Sequence, residues 1–328
     1  MKFSQSIGLL AGLLLSGGAA MAQSAATDPA FIQTVSLQPG SDYALAFPLD
    51  TLAVYQGAIA STTSSSLQVT GSPNWAPNNW AGSIPYQVLV LSGELEGATF
   101  PISANGPSTL TVAFGLEDRA QLAAGDLVQI QRAWTPSDLS EMADLPEGTQ
   151  LIVQGMNPGT GSMQTAVYTY YVDYGWFDGS FGEADSAPLN RGAGFILRLP
   201  AAGEATELVM AGQVPMTVQR MRFRMPAGEK YRDFRFGIMS TEPINLDAAG
   251  LVDRVEAQLF VYDNATAGIN KLPAKTLSAF PGWGWYDERF QEAGSTTDLL
   301  PGQSYILRHF DAGVDLVYTW TWLPSYLQ

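Results

Sequence analysis

The 328-residue sequence contains no cysteine, a single histidine and little charge. Without cysteine there are no disulfides, zinc–thiolate sites, thiol nucleophiles or redox pairs. One histidine, His309, allows a lone general base and excludes a cluster of imidazole ligands. Charged residues make up 14% of the chain, against about 25% in an average globular domain. Acids outnumber bases 31 to 16, for a formal charge of −15. Such a surface repels nucleic acid and anionic lipid. No G-x-S-x-G, P-loop, G-x-G-x-x-G or H-E-x-x-H stretch occurs, so no cofactor, metal or motif-borne catalytic centre is indicated.

Helical periodicity is nearly absent after the first two dozen residues. Those open with Met1-Lys2, continue through an apolar run from Ile7 to Leu15 and end in Ala20-Met21-Ala22. One early positive charge, a short apolar core and an A-x-A ending predict a signal peptide over 1–22. The apolar run falls short of the about 20 residues of a membrane span, and no cysteine follows to carry a lipid. The expected destination is the periplasm, the cell surface or the extracellular space, with no transmembrane segment after cleavage.

What the chain does have is glycine (33), proline (20) and period-two alternation, the pattern of half-buried strands between turns. Strands are predicted at Tyr86–Leu91, Thr109–Phe114, Leu127–Gln131 and Leu316–Trp322. The wholly apolar Leu259–Tyr262 reads as a strand buried on both faces. Short helical turns are predicted at Pro136–Met142, capped by Ser137 or Asp138, and at Leu246–Asp253. Ser61–Ser66 reads as a linker, and Ser72–Ile84, which holds Trp75 and Trp80, as a long loop.

An internal repeat organises the chain. Gly175-Trp-Phe-Asp178, followed by Phe181, Glu183 and Ala184, recurs 109 residues later as Gly284-Trp-Tyr-Asp287, followed by Phe290, Glu292 and Ala293. Gly194-Phe-Ile-Leu-Arg198 recurs as Ser304-Tyr-Ile-Leu-Arg308, and Leu151-Ile-Val153 as Leu259-Phe-Val261. A further echo pairs Pro39-Gly-Ser-Asp-Tyr43 with Ala227-Gly-Glu-Lys-Tyr231. The fold class expected is therefore all-β: two related sandwich- or barrel-like units from an internal duplication, with a small β-barrel inserted in the first. The boundaries read as 23–63 for the start of the first unit, 64–134 for the barrel, 135–215 for the rest of that unit and 216–328 for the second.

Ser92-Gly-Glu-Leu-Glu-Gly97, Phe100, Asn105, Leu110-Thr-Val112, Gly125-Asp126 and Trp134-Thr135 follow one another in a characteristic order. So do Tyr262-Asp-Asn264, Asn270-Lys271 and the two G-W-aromatic-D stretches. Over most of its length the chain resembles a family of uncharacterised secreted β-rich proteins of verrucomicrobial-type bacteria. It departs from that pattern at Ser162–Gln164, where the first copy lacks the Asn-Lys of the second. The resemblance implies export and architecture, and it implies no activity.

Three sets of residues are candidates for chemistry. Asp178 with Glu183, and Asp287 with Glu292, have the equipment of a glycosidase pair; equally, the aspartates suit tight turns and the glutamates suit pairing with Arg198 or Arg308. Trp176 and Trp285, with Trp283, Trp75 and Trp80, could stack on sugar rings or plug the core of each unit. Arg220, Arg222 and Arg224 alternate with apolar residues, and Lys230, Arg232 and Arg235 follow. That strand reads as a solvated face paired with local acids, or as a contact for a second copy or an anionic polysaccharide. Oxygen-rich positions at Asp263 and Asn264, and at Asp173 with Asp178, fall short of a calcium loop. His309 reads as a surface or strand-end histidine.

The leading expectation is an exported structural or adhesive protein without catalytic activity, its partner a polysaccharide or another copy of itself. A carbohydrate-binding protein using Trp176 and Trp285 is the alternative, and a glycan-acting enzyme a third reading.

Overall fold

A computed structural model describes residues 29–115, 117–156, 163–251, 256–310 and 313–328. The expected signal peptide lies outside these residues, as does Ser162. Period-two patterning becomes strand almost throughout. The first unit opens with β1 (Ala30–Leu37) and β2 (Asp42–Ala46). The chain then forms β3 (Ala53–Thr62), β4 (Ser66–Val69), β5 (Tyr86–Val90), β6 (Thr99–Asn105), β7 (Thr109–Val112) and β8 (Leu127–Arg132). After α1 (Pro136–Met142) come β9 (Gln150–Met156), β10 (Met163–Tyr171), β11 (Gly175–Asp178), β12 (Gly194–Arg198) and β13 (Thr206–Gln213). The second unit holds β14 (Gln219–Met225), β15 (Tyr231–Gly237), β16 (Ile244–Asn245), β17 (Ala257–Val261) and β18 (Lys275–Phe280). It ends with β19 (Gly284–Tyr286), β20 (Asp298–Leu299), β21 (Ser304–Phe310) and β22 (Leu316–Trp322).

The duplication is visible in the sheets. The first unit has a five-stranded sheet in the order β11-β10-β9-β12-β2, and the second has β19-β18-β17-β21-β15 in its place. Each is accompanied by an antiparallel pair, β1 with β13 and β14 with β22. Registers equate Asp42 with Asp233, since each faces the matching arginine of the I-L-R strand, Arg198 or Arg308. The echo seen in sequence therefore holds only at its start: Gly40 and Gly228 both take positive φ, but Tyr43 corresponds to Phe234 rather than to Tyr231. Three extra residues lie between Gly228 and Asp233, where β15 starts earlier than β2 does.

Strands β3-β4-β7-β6-β5-β8 close a barrel. It begins at Ala53, before the expected boundary at 64. Ser61–Ser66, expected as a linker, spans a hairpin turn in which Thr63 N–H donates to Ser66 C=O at 2.9 Å. Closure leaves no free strand edge, and the barrel core forms around Val88, Phe100, Leu110, Val128 and Ile130. Trp75 and Trp80 lie half-buried against it, edge-on to Tyr55 and Tyr86.

α1 has the bounds read from sequence, with Thr135 rather than Ser137 or Asp138 as N-cap. The Asp138 carboxylate accepts from the Thr135 N–H at 2.7 Å and from its hydroxyl at 2.8 Å. Residues 246–250 form a turn, with Ala249 N–H bonded to Asn245 C=O; Val252 and Asp253 are outside the described residues. β17, expected to be buried on both faces, is buried on one: Leu259 is fully enclosed and Phe260 half-exposed.

Candidate functional site

Each unit carries the same pair of consecutive hairpins at the outer edge of its large sheet. The first turn joins β10 to β11 through Tyr171-Val-Asp-Tyr174, and β18 to β19 through Phe280-Pro-Gly-Trp283. Tyr174 N–H and Trp283 N–H close these turns onto Tyr171 C=O and Phe280 C=O. Asp173 and Gly282 sit at φ 67° and 77°, the position of a type II turn that favours glycine.

The second hairpin follows at once. Asp178 accepts the N–H groups of Ser180 and Gly182, both at 2.8 Å, and Asp287 those of Arg289 and Gln291, also at 2.8 Å. Phe181 N–H returns to Asp178 C=O and Phe290 N–H to Asp287 C=O, each at 3.0 Å. This is a three-residue loop whose last position lies in the left-handed region, where glycine normally sits. Phenylalanine occupies it in both units, Phe181 at φ 61° and Phe290 at φ 58°. A bulky side chain there is strained by roughly 1–2 kcal/mol.

Alternation along β11 and β19 divides the aromatic residues. Trp176 and Trp285 point inward and are 0% and 3% exposed. Trp176 belongs to the core that holds Tyr43, Phe195 and Leu197, with the Tyr170 ring 5.3 Å away, and Trp285 to the core that holds Phe236, Leu259 and Tyr305. The expectation that they form a binding surface is corrected: they are core plugs, since a ring so enclosed has no face left for a ligand. Asp178 and Asp287 are likewise taken up by backbone amides. They build turns, and the glycosidase reading loses one member of each carboxylate pair. The glutamates do not pair with Arg198 and Arg308, which bind Asp42 and Asp233 at 2.6 and 2.7 Å.

The rings that do face solvent are their neighbours. In the second unit Trp283 is 78% and Phe290 77% exposed; in the first Tyr174 is 75% and Phe181 74% exposed. Phe280 and Tyr286 complete the second cluster, Tyr171 and Phe177 the first. The geometry repeats with the sequence. Phe280 lies 6.0 Å from Tyr286 and 6.5 Å from Phe290, while Tyr171 lies 5.7 Å from Phe177 and 6.3 Å from Phe181. Phe280, Trp283, Tyr286 and Phe290 border an open cleft of about 360 Å³. Tyr171, Tyr174 and Phe177 were not singled out from sequence, although the 109-residue offset and the two-residue strand period together point to all of them.

The arginine strand is not a free surface. Arg220 grips Glu117 with two nitrogens at 2.8 and 3.0 Å, and Arg222 reaches the same carboxylate at 2.9 Å. Arg220 also donates to Glu94 C=O at 3.2 Å. The strand is thus docked on loops of the barrel, and Gly97, whose Cβ would fall 2.2 Å from Val218 C=O, lets the chains approach. Only Arg224, 4.0 Å from Asp315, keeps substantial exposure. Arg220 and Arg222 are paired, but with a distant acid on a docked face rather than with local acids on a solvated one, and the reading of an open contact surface is corrected as well.

His309 is also not at the surface. It is 1% exposed between Phe223, Phe234 and Tyr318, whose hydroxyl meets its Nε2. Burial pushes its pKa down to about 4, so near neutrality it is an uncharged core residue. Asp263 and Asn264, considered as cation ligands, are used within the chain. Asp263 accepts from Ala265 N–H and the Thr266 hydroxyl, and Asn264 bonds both Ala44 N–H and Ala44 C=O at 2.9 Å. Among the described residues no three acids or histidines gather as a metal site, and no helix is long and apolar enough to cross a membrane.

No family model matches the chain, and no significant match exists among curated proteins or solved structures.

Proposed function

We propose that this is an exported, non-catalytic adhesive protein of the cell surface or surrounding matrix, and that it adheres by stacking its two exposed aromatic clusters on the rings of carbohydrate. The observation that carries the reading is Phe181 and Phe290. A phenyl ring is held twice, exposed, at a backbone position that strains it and that glycine would occupy freely. Folding does not call for it, so a surface role does. Ring faces carry a negative quadrupole that suits the C–H faces of a pyranose. The cleft beside Trp283 falls within the about 300–1,000 Å³ of small-ligand sites. The turn-bound aspartates support a binding role over a hydrolytic one. Export rests on the pattern of residues 1–22.

The test is a glycan array on the purified chain, followed by titration calorimetry with any oligosaccharide retained. Trp283→Ala and Phe290→Ala should abolish binding at the second cluster, and Tyr174→Ala and Phe181→Ala at the first, with unchanged melting. Retention of every ligand by a chain lacking all four rings would refute the reading.

A further inference from the structure

The two units meet along β2 and β12 of the first and β15 and the 262–271 loop of the second. Asn264 and Gly268 satisfy the outer edge of β2. The repeat places one ion pair on each side, Arg198 with Asp42 and Arg308 with Asp233. Two residues further along the edge strands the equivalence breaks, with Ala44 in the first unit and Arg235 in the second.

Arg235 is 5% exposed, and among the described residues it forms no ion pair. One Nη donates to the Ser304 hydroxyl at 3.3 Å, and Nε has no partner. The guanidinium lies 5.4 Å from the centre of the Tyr262 ring and interacts with that side chain, while Asp233 and Asp42 act on it only from beyond ion-pair distance. A buried cation left unpaired is costly, and guanidinium cannot discharge by losing its proton as lysine can.

Arg235 borders a cavity of about 110 Å³ shared with Asp42, Ala44, Arg198, Tyr262, Asn270 and Lys271. Asp42 is already occupied: Arg198 binds both its oxygens, at 2.6 and 2.8 Å, and Asn270 N–H adds a third bond at 2.7 Å. Lys271 donates to two neutral acceptors, the carbonyls of Asp263 and Thr266, at 2.7 and 2.9 Å. Three cations therefore face one carboxylate, in a chain with only 16 basic residues. Burial draws the pKa values of Arg235 and Lys271 below their ordinary levels, against the opposing pull of Asp233 and Asp42 on the first and of Asp263 and Asp42 on the second. The space holds several waters, and so can hold one oxyanion with part of the group that bears it.

We propose that this cavity is an oxyanion site, taking a single carboxylate or sulfate group that pairs with Arg235 and faces Lys271 at the seam between the two units. The planar guanidinium fork is suited to such a group. A free ion and the acidic substituent of a sugar share this chemistry.

The experiment follows the melting midpoint of the whole chain at constant ionic strength, with chloride replaced stepwise by sulfate, acetate or glucuronate. It compares the unaltered chain with Arg235→Met and Ala44→Glu. A ligand that binds only the folded state raises the midpoint saturably; that rise is expected in the unaltered chain and not in Arg235→Met. Ala44→Glu supplies a carboxylate from within, and should melt higher in chloride and no longer respond. A response to sulfate and acetate supports the proposal with a free ion as the source. A response to glucuronate alone supports it with an acidic sugar as the source. No saturable rise with any of the three, or a rise that persists in Arg235→Met, overturns it. Should Arg235→Met fail to fold, Ala44→Glu decides: a response equal to that of the unaltered chain overturns the site.

Discussion

Phe181 and Phe290 place stability and function in opposition at single positions. Each holds a large side chain where glycine is unstrained. Phe181→Gly and Phe290→Gly are therefore expected to raise stability by about 1 kcal/mol each, measured by urea unfolding, while carbohydrate retention at that cluster falls. A loss of stability would mean that the ring packs more than its exposure implies. His309 makes a second residue-scale case. It is the only histidine, and its pKa falls from 6.5 to about 4 on folding. Because the folded value lies below the unfolded one, its contribution is complete above pH 6.5 and is lost as pH falls toward 4. The linkage amounts to roughly 3 kcal/mol across that window. His309→Phe should flatten the slope of unfolding free energy between pH 6.5 and 5, where most carboxylates remain ionised. An unchanged slope would assign the effect elsewhere.

Hairpins and strands show why these side chains are where they are. The Asp178 and Asp287 loops each rest on two amide-to-carboxylate bonds, so Asp178→Ala or Asp287→Ala should cost about 1–2 kcal/mol. It should also loosen the adjacent phenylalanine, which amide exchange at Gly182 or Gln291 would register. Strand β14 depends on an acid from outside its own sheet. Arg220 and Glu117 are both 11% exposed, and Glu117→Ala leaves Arg220 and Arg222 partly buried without a counter-charge. A loss of about 2–4 kcal/mol is expected, with the barrel freed from β14; a change under about 0.5 kcal/mol would mean that water replaces the carboxylate without difficulty.

At the scale of the molecule, two equivalent platforms stand on two equivalent sheets. A short oligosaccharide should bind with a stoichiometry of two per chain, falling to one in Trp283→Ala/Phe290→Ala, as read by calorimetry. The units are interlocked at the seam, where a Cβ on Gly237 would lie 2.1 Å from that of Ala46, and one on Gly194 would lie 2.5 Å from Ser304 Cβ. The barrel is carried on the first unit between β2 and α1, and barrel loops grip β14 of the second. It therefore bridges both units rather than hanging from one.

Much of this was legible in the chain. Period-two alternation and turn residues specify strands locally, and a duplicated gene product repeats its motifs at constant offset. All-β architecture, the repeat and the inserted barrel followed from those two signals. The bounds of α1 were legible as well, though its N-cap is Thr135, with Asp138 closing the capping box, rather than Ser137 or Asp138. Facing was harder to read. Gly-Trp-aromatic-Asp does not say which ring turns inward, because an edge strand of four residues alternates equally well in either sense. Only assembly of the two cores, around Tyr43 and Phe195 in one unit and Phe236 and Tyr305 in the other, sends tryptophan inward and leaves the neighbouring rings in water. The same holds for charge. The sequence determined that six basic residues cluster at 220–235 in an acidic chain, but ion pairing acts across space. Glu117, 103 residues from Arg220, became its partner only through the placement of the barrel, and Arg235 became a buried, unpaired cation only where the two units closed over it.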